Sequence, residues 1–214
     1  MSEPVRPDTS DLAAVHRVFR TTLATAPDVV GRTLGDEDQR AVVASYFANL
    51  LAFLEVHHQG EELLVFPKLA ERAPDGAALV ARAEAQHLDV EAGLQAAAAA
   101  LAAWDSDAGA APLVGSLQAL EAVLVPHLDQ EEDDIPALAA ACMTAEEWGM
   151  LPGHAMAHFG GDKVWLILGL IREQFTEAQR AMMLGAMPPP ARQMWETTGE
   201  ASFTAMVATV RGGS

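Results

Sequence analysis

The chain has 214 residues, half of them hydrophobic, and a formal net charge of −17 from 30 acidic and 13 basic residues. Such an acidic surface repels phosphate backbones and anionic lipids, so we expect no nucleic acid and no membrane among its partners. The single cysteine, Cys142, rules out an internal disulfide. No uninterrupted apolar run reaches the roughly 18–20 residues of a membrane span. The polar start lacks the apolar core of a signal peptide. These features predict a cytoplasmic protein.

Helix-favouring segments separated by Gly, Pro and Asp divide the first two thirds of the chain into four parts. The sequence therefore predicts an all-α fold, an up-down-up-down four-helix bundle over residues 8–142 with additional C-terminal helices. The first predicted helix runs from about Ser10 to Ala26, and the second starts after Gly35-Asp36 and closes around Arg72, with Pro67 bending its last turns. The third follows the turn Pro74-Asp75-Gly76 and continues to about Trp104, and the fourth spans about Pro112 to Cys142.

Residues 143–214 are predicted to form a helical extension. Thr144 to Glu147 and Thr176 to Gln179 both have the spacing of a capping box, which starts a helix. A last helix is predicted from about Ala191 to Arg211, after three consecutive prolines. The segment Val164 to Ile171 is apolar almost all round, so it must be buried. It packs on the bundle or in a homodimer interface, and both alternatives stay open here.

Histidines stand where leucines are expected on the apolar seam of each predicted bundle helix. In the second helix, residues spaced alternately by four and three form a stripe that continues through His57, Glu61 and Leu64. The stripe of the fourth helix continues through His127 and Glu131 in the same way. Burial without partners costs about 1–3 kcal/mol for each neutral polar group and more for a charge. A shared metal site would explain all six residues, which are His16, His57, Glu61, His87, His127 and Glu131.

The spacing of these residues suggests one helix pair that occurs twice. His57 and Glu61 are four residues apart, as are His127 and Glu131, so each pair shares one helix face. The interval from His16 to His57 is 41 residues, and that from His87 to His127 is 40. Imidazoles and carboxylates without cysteine favour iron or a similar metal over structural zinc or calcium. Inward Glu and His residues are a known way for a helical bundle to hold two such ions.

The pattern resembles the hemerythrin-like proteins, also called the HHE cation-binding domain, over about residues 8–142. The matching residues are His16, His57-His58-x-x-Glu61-Glu62 before Phe66-Pro67, His87, and His127-x-x-x-Glu131-Glu132 before Pro136. The resemblance implies a non-haem di-iron centre, bridged by the two glutamates and an oxo or hydroxo group. It also implies that the protein handles dioxygen, peroxide or nitric oxide.

The third helix departs from the pattern of the oxygen-carrying hemerythrins, which have His-x-x-x-His there. This chain has only His87, and Glu91 or a water could occupy the missing position. The departure favours redox chemistry, sensing or iron handling over reversible oxygen carriage. Three functions are therefore considered: a di-iron redox enzyme, a non-catalytic dioxygen or iron sensor that signals through its C-terminal helices, and a structural bundle with a vestigial polar core.

Two pairs of histidines each allow two interpretations. Counting back from Pro67 would select His58 as the ligand, whereas the seam selects His57. We follow the seam, so His58 is expected to flank the site and is kept as the alternative ligand. His154 and His158 are interpreted as ordinary half-exposed helix residues, with a second metal site or a route to the first as the alternative.

Overall fold

All regular structure that the computed structural model describes, over residues 5–74, 76–159 and 162–212, is helical, which confirms the all-α prediction. Four long helical stretches make up the first two thirds of the chain. Their elements are α1 (Ser10–Ala24) with the short α2 (Ala26–Gly31), α3 (Glu37–Gly60) continued by a π-helical segment (Glu61–Val65) and α4 (Phe66–Arg72), α5 (Gly76–Ala102), and α6 (Ala110–Cys142) after the 3₁₀ turn Asp107–Gly109.

The extension contains shorter helices, and both predicted capping boxes are confirmed. In each box the threonine hydroxyl accepts the N–H of the third helical residue, whose side chain accepts the threonine N–H. The elements are α7 (Ala145–Trp148), α8 (Met150–His158), α9 (Asp162–Gln174), α10 (Glu177–Ala186), α11 (Pro189–Met194), the π-helical segment Trp195–Gly199, and α12 (Glu200–Arg211).

Several helix limits differ from the predicted ones because of proline. Pro27 does not end the first helix but lies in the first turn of α2, where its missing N–H has no helical partner to lose. Helix α6 begins at Ala110 and runs through Pro126 and Pro136. The predicted turn Pro74-Asp75-Gly76 includes Asp75, which lies outside the described residues.

The π-helical segment shifts the seam of the second long helix by one residue. The amide of Phe66 donates to the carbonyl of Glu61, five residues earlier, so this turn contains one residue more than an α-helical turn. Pro67 follows at the start of α4, where it has no N–H to give to the α-helical ladder. The prediction that Leu64 lies on the buried stripe was therefore wrong. Leu64 is half-buried, and Val65 is fully buried in its place.

The extension packs on the helices that carry the predicted ligands. Helix α9 lies against α1 and α3, and α12 lies against α3 and α9. Leu166, Ile167 and Leu170 of α9 are each 2% exposed or less, and they join the main hydrophobic core. Burial within one chain thus accounts for the apolar segment Val164 to Ile171.

The segment Asp107–Cys142 has the length of a membrane span and a mean hydropathy of 1.5 in its most apolar part. A core helix of a water-soluble helical protein meets the same two criteria. Helix α6 packs against α1 and α5 and fully buries Leu113, Leu117, Leu120 and Leu124. Its apolar face is therefore used inside the protein.

We expect Gly169→Ala to destabilise the extension. A Cβ at Gly169 would overlap the ring of Phe203 on α12, and overpacking of this kind costs about 1–3 kcal/mol. Gly185 in α10 is the matched control, because a Cβ there meets nothing within 4 Å. Gly185→Ala should instead stabilise the protein by up to about 1 kcal/mol. Urea denaturation measures both changes, and equal stability of the two variants would contradict this packing.

Candidate metal centre

The structure brings all six predicted ligands together in the interior, between four helical stretches. Helix α1 supplies His16, α3 supplies His57, α5 supplies His87, and α6 supplies His127 and Glu131. The π-helical segment supplies Glu61. A seventh residue, His58, joins them from α3.

The donor atoms form two adjacent groups, in each of which all atoms lie within 4.8 Å of one another. The first group contains His16, His57, Glu61 and Glu131. The second contains the three imidazoles of His58, His87 and His127. Five imidazoles and two carboxylates therefore converge from four directions.

The two glutamates connect the groups. Glu61 lies 3.4 Å from Nε2 of His57 in the first group and 3.8 Å from Nε2 of His87 in the second. Glu131 lies 3.6 Å from Nε2 of His16 and 3.3 Å from Nε2 of His127. Each carboxylate thus reaches both groups, which is the arrangement that two ions bridged by carboxylates require.

Most of the converging atoms are buried without a partner. These atoms have no hydrogen-bond partner among the residues that the structure describes: Nε2 of His58, His87 and His127, and both carboxylate oxygens of Glu61 and Glu131. Orphaned polar atoms in a protein core each cost about 1–3 kcal/mol, and charged ones cost more. Bound cations would satisfy all of them at once, so the donor set fits a metal centre.

The two histidines of the first group also have a separation that suits a metal. Nε2 of His16 and Nε2 of His57 are 3.1 Å apart. Adjacent ligand atoms around a six-coordinate ion with bonds of about 2.1 Å are about 3 Å apart. The pair is therefore spaced to bind one ion side by side.

Outer partners orient three of the imidazoles. Nδ1 of His16 donates to Glu132 at 3.0 Å, and Nδ1 of His87 donates to Glu62 at 2.8 Å. Nδ1 of His127 donates to the amide oxygen of Gln86 at 3.2 Å. A carboxylate can only accept, so the proton sits on Nδ1 and the Nε2 lone pair points inward. Such partners fix the tautomer and raise the basicity of metal ligands.

Glu132 is itself held by a cation at the surface. The Arg20 guanidinium lies 3.2 Å from the carboxylate of Glu132 and 2.8 Å from that of Asp129. The hydrogen bond from His16, together with Arg20, lowers the pKa of Glu132. The outer carboxylate is therefore ionised and keeps His16 oriented.

Burial keeps most of the imidazoles in the form that binds metal. It lowers the pKa of His57 and of His58 well below the usual range, and neighbouring imidazoles lower both further. Burial likewise lowers the pKa of His127 to about 4. A neutral imidazole is the ligand form, so these three side chains need lose no proton to coordinate at neutral pH.

Two other groups in the cluster are shifted upward. Burial raises the pKa of Glu61 well above its usual range, and the nearby carboxylates of Glu131 and Glu62 raise it further. Burial opposes protonation of His87, but Glu131 and Glu62, 3.7 and 2.8 Å away, outweigh it and raise its pKa. Glu61 therefore releases a proton when a cation binds.

We expect acid to destabilise the chelator-treated protein partly through His127. An unfolded histidine has a pKa near 6.5 and folded His127 one of about 4, so between these pH values only the unfolded chain takes up this proton. The contribution is fully present above pH 6.5 and is lost as pH falls to 4, by up to about 3 kcal/mol. His127→Leu should flatten the dependence of unfolding free energy on pH over that range.

Urea denaturation at a series of pH values measures this slope. Wild type and His127→Leu share the contributions of His57, His58 and Glu61, so those largely cancel in the difference. An identical slope in the two proteins between pH 4 and 6.5 would contradict the assignment.

His58 was expected to flank the site, with a role as ligand as the alternative, and the structure places it in the second donor group. Its side chain is 7% exposed and stacks on the ring of His87, with ring centroids 4.2 Å apart. The seam excluded it because a strict spacing of three and four keeps only a narrow stripe, whereas the buried face of α3 is wider and continues from Leu51 and Leu54 to His58. Neighbouring residues on α3, His57 and His58, serve the first and the second group respectively. The sequence feature that pointed to His58 was Pro67, because counting back from this proline selects His58 and Glu62 as the site residues.

Glu91 does not take the place that the third helix leaves open. Its side chain is exposed and accepts a hydrogen bond from Gln95 on the helix surface. His58 supplies the additional imidazole instead. The set therefore contains five histidines although the third helix has only His87.

His154, His158 and Cys142 lie outside the cluster, in surroundings that fit ordinary helix residues and an unreactive thiol. His154 is half-buried, His158 is exposed, and Nδ1 of His158 bonds to the carbonyl of His154. Neither belongs to the two donor groups among the described residues. Burial raises the pKa of the Cys142 thiol, which disfavours the reactive thiolate.

Comparison with known protein families shows which family the region with the donor residues belongs to. The model of the hemerythrin HHE cation binding domain matches residues 8–139. This chain belongs to that family. The match covers well over half of the chain and every residue of both donor groups. Searches of the curated proteins and of the solved structures found no match.

Membership of the hemerythrin HHE family accounts for the buried polar cluster. The family's domain binds cations, and the cluster in this chain is able to hold a metal. The extension, residues 143–214, lies beyond the matched region.

Proposed function

We propose that this hemerythrin-family protein holds a di-iron centre and carries out redox chemistry on dioxygen, peroxide or nitric oxide in the cytoplasm. We infer an up-down-up-down order for its four long helical stretches, because helices that follow one another in sequence pack together and the connections are short. The observation that carries the proposal is the convergence of orphaned donor atoms in two groups that share two carboxylates.

The donor set favours iron, and its division favours two ions. Three imidazoles, His58, His87 and His127, would hold one ion, and His16 with His57 would hold the other. Glu61 and Glu131 would serve both. A bound iron pair supplies electron transfer to and from a small oxidant. The group with two imidazoles has fewer protein ligands, so a small molecule has more room to bind there.

The residues of the chain supply orientation and desolvation. Glu132 and Glu62 hold the imidazoles of His16 and His87 in their ligand tautomer. Phe19 and Phe66 lie 5.4 Å, between ring centroids, from His57 and His87, and keep the centre apolar around its polar atoms.

Peroxide consumption by the iron-loaded protein tests for turnover. With peroxide alone, we expect disproportionation of two peroxides to two waters and one dioxygen, repeated for many equivalents per chain. The activity should be lost after chelation and recover on adding iron back. The variant Glu61→Gln keeps the side-chain volume but removes a carboxylate that both donor groups share, so it should lower the iron content and slow consumption. A single stoichiometric reaction without turnover would contradict the enzymatic function.

One observation favours a sensor as the second candidate. Helix α8 of the extension packs against the end of α3 that carries the predicted ligands. A Cβ on Gly60 would lie 3.2 Å from the ring of His154 and 3.2 Å from the side chain of Leu151, both on α8. Gly60 directly precedes Glu61. A change at the centre would therefore press directly on the extension.

Limited proteolysis separates the two candidates. A sensor predicts that cleavage after residue 142 changes when the iron-loaded protein is exposed to dioxygen or stripped of iron. The variant Gly60→Ala should weaken this coupling by pushing α8 away from α3. Cleavage that is identical in all states would exclude signalling through the extension.

A further inference from the structure

A long groove runs between α3 and α5 and ends at the donor cluster. Its volume is about 820 Å³, and all of its lining residues belong to α3, the adjoining π-helical segment and α5. On α3 the lining extends from Ala44 to Glu62, and on α5 from Glu84 to Ala102. At 1.5 Å of rise per residue, the groove is about 27 Å long. Dioxygen or peroxide would fill only a small part of it.

The two halves of the groove differ in chemistry. One half is lined mainly by alanine and leucine, including Ala48, Leu51, Ala98 and Leu101. The other half contains His58 and His87 together with four glutamates. Those glutamates are Glu55, Glu62, Glu84 and Glu91. Because the two helices are antiparallel, the apolar half lies at one end and the polar half at the other.

The charge of the polar half is uniform. Within the described ranges, no lysine or arginine is among the lining residues. Glu62 accepts a hydrogen bond from His87, and the lining holds no cationic side chain for the other three glutamates. A carboxylate or phosphate on a ligand would be repelled, and an ammonium group would be attracted. His58 and His87 also line the groove, but they are only 7% and 5% exposed, and each gives one ring nitrogen to the second donor group.

We propose that this groove binds an aliphatic amine, with its chain in the apolar half and its ammonium group among the glutamates beside His58 and His87. The volume is within the range of about 300–1,000 Å³ that small-molecule sites have. A second copy of the chain is disfavoured as the occupant, because its net charge of −17 would face the same acidic rim.

The proposal deepens the proposed function, since the bound head group lies next to the second donor group. It places an organic substrate or effector, in addition to a diatomic or peroxide molecule, at the centre. Its test measures binding and not turnover, so it succeeds or fails independently of the redox activity.

Calorimetric titration of the iron-loaded full chain with decylamine, below its micelle concentration, tests the proposal. We expect saturable binding of one molecule per chain, and affinity for decanoate at least about tenfold weaker. Decanol should fall between the two. Glu55→Gln together with Glu84→Gln should weaken decylamine binding and leave decanol binding unchanged.

Variants that fill the apolar half provide the structural control. Ala48→Leu with Ala98→Leu should abolish decylamine binding while iron content stays at the wild-type value. Ala99→Leu is the matched control, because Ala99 is exposed on the same helix but does not line the groove. It should bind decylamine as wild type does.

Three results would overturn the proposal. They are the absence of saturable decylamine binding, equal affinity for decylamine and decanoate, and binding that survives filling of the groove. A dimer in solution that Ala48→Leu with Ala98→Leu converts to monomer would overturn it too, by showing that a second copy covers the groove. Analytical ultracentrifugation of the wild type and of this variant measures their oligomeric states.

Discussion

Replacing His57 and His127 together by alanine should remove most of the metal and lower the thermal stability of the protein. His57 belongs to the first donor group and His127 to the second, so each group loses one imidazole. A metal that binds only the folded state adds its binding free energy to stability, about 4 kcal/mol at a free concentration 1,000 times the Kd. The variant loses that contribution.

Metal analysis and thermal melting with and without a chelator measure the effect. The matched control is His154→Ala with His158→Ala, which also removes two imidazoles but lies outside both donor groups. The control should keep its metal and most of its chelator-sensitive stability. Stoichiometric iron in the variant that lacks His57 and His127 would contradict the ligand assignment.

Replacing His58 by alanine should lower metal affinity by at least about tenfold and change the optical spectrum of the iron-loaded protein. His58 is one of only three imidazoles in the second group, and its Nε2 is buried without a hydrogen-bond partner among the described residues. Its ring also stacks on His87, so its loss frees a second ligand to move.

Glu91→Ala is the comparison that decides whether His58 or Glu91 fills the ligand position that the third helix leaves open. Glu91 is exposed and bonds to Gln95, so its replacement should leave both metal content and spectrum unchanged. The opposite pattern, an altered spectrum for Glu91→Ala and an unaltered one for His58→Ala, would return Glu91 to the site and remove His58 from it.

Sequence periodicity was sufficient to place most of the cluster. His16, His57, His87 and His127 occupy apolar seam positions, and a polar residue on a seam must face the same interior as its apolar neighbours. The structure accordingly brings these four side chains together with Glu61 and Glu131. Helix starts were equally predictable where a capping residue marks them, as at Asp36 and Thr144.

Periodicity failed where the helix itself changes its repeat. The π-helical turn at Glu61–Val65 adds one residue, so a strict spacing of three and four selects Leu64 although Val65 is the buried residue. His58 lies before that turn and was missed because the buried face of α3 is wider than the stripe. Pro67, two residues after that turn, is compatible with it but does not require it. The α3–α5 groove also could not be predicted from the sequence, because it depends on the distance between two packed helices. Alanine at facing positions is equally compatible with close contact.

The central claim is that the buried cluster holds two irons, and metal analysis combined with an absorption spectrum tests it most directly. The spectrum is recorded on the purified protein before and after exposure to air or peroxide. We expect about two irons per chain, as in other bundles with inward Glu and His residues, and near-ultraviolet absorption from an oxo bridge. Protein that takes up no iron, or that holds zinc which iron does not displace, would contradict the claim.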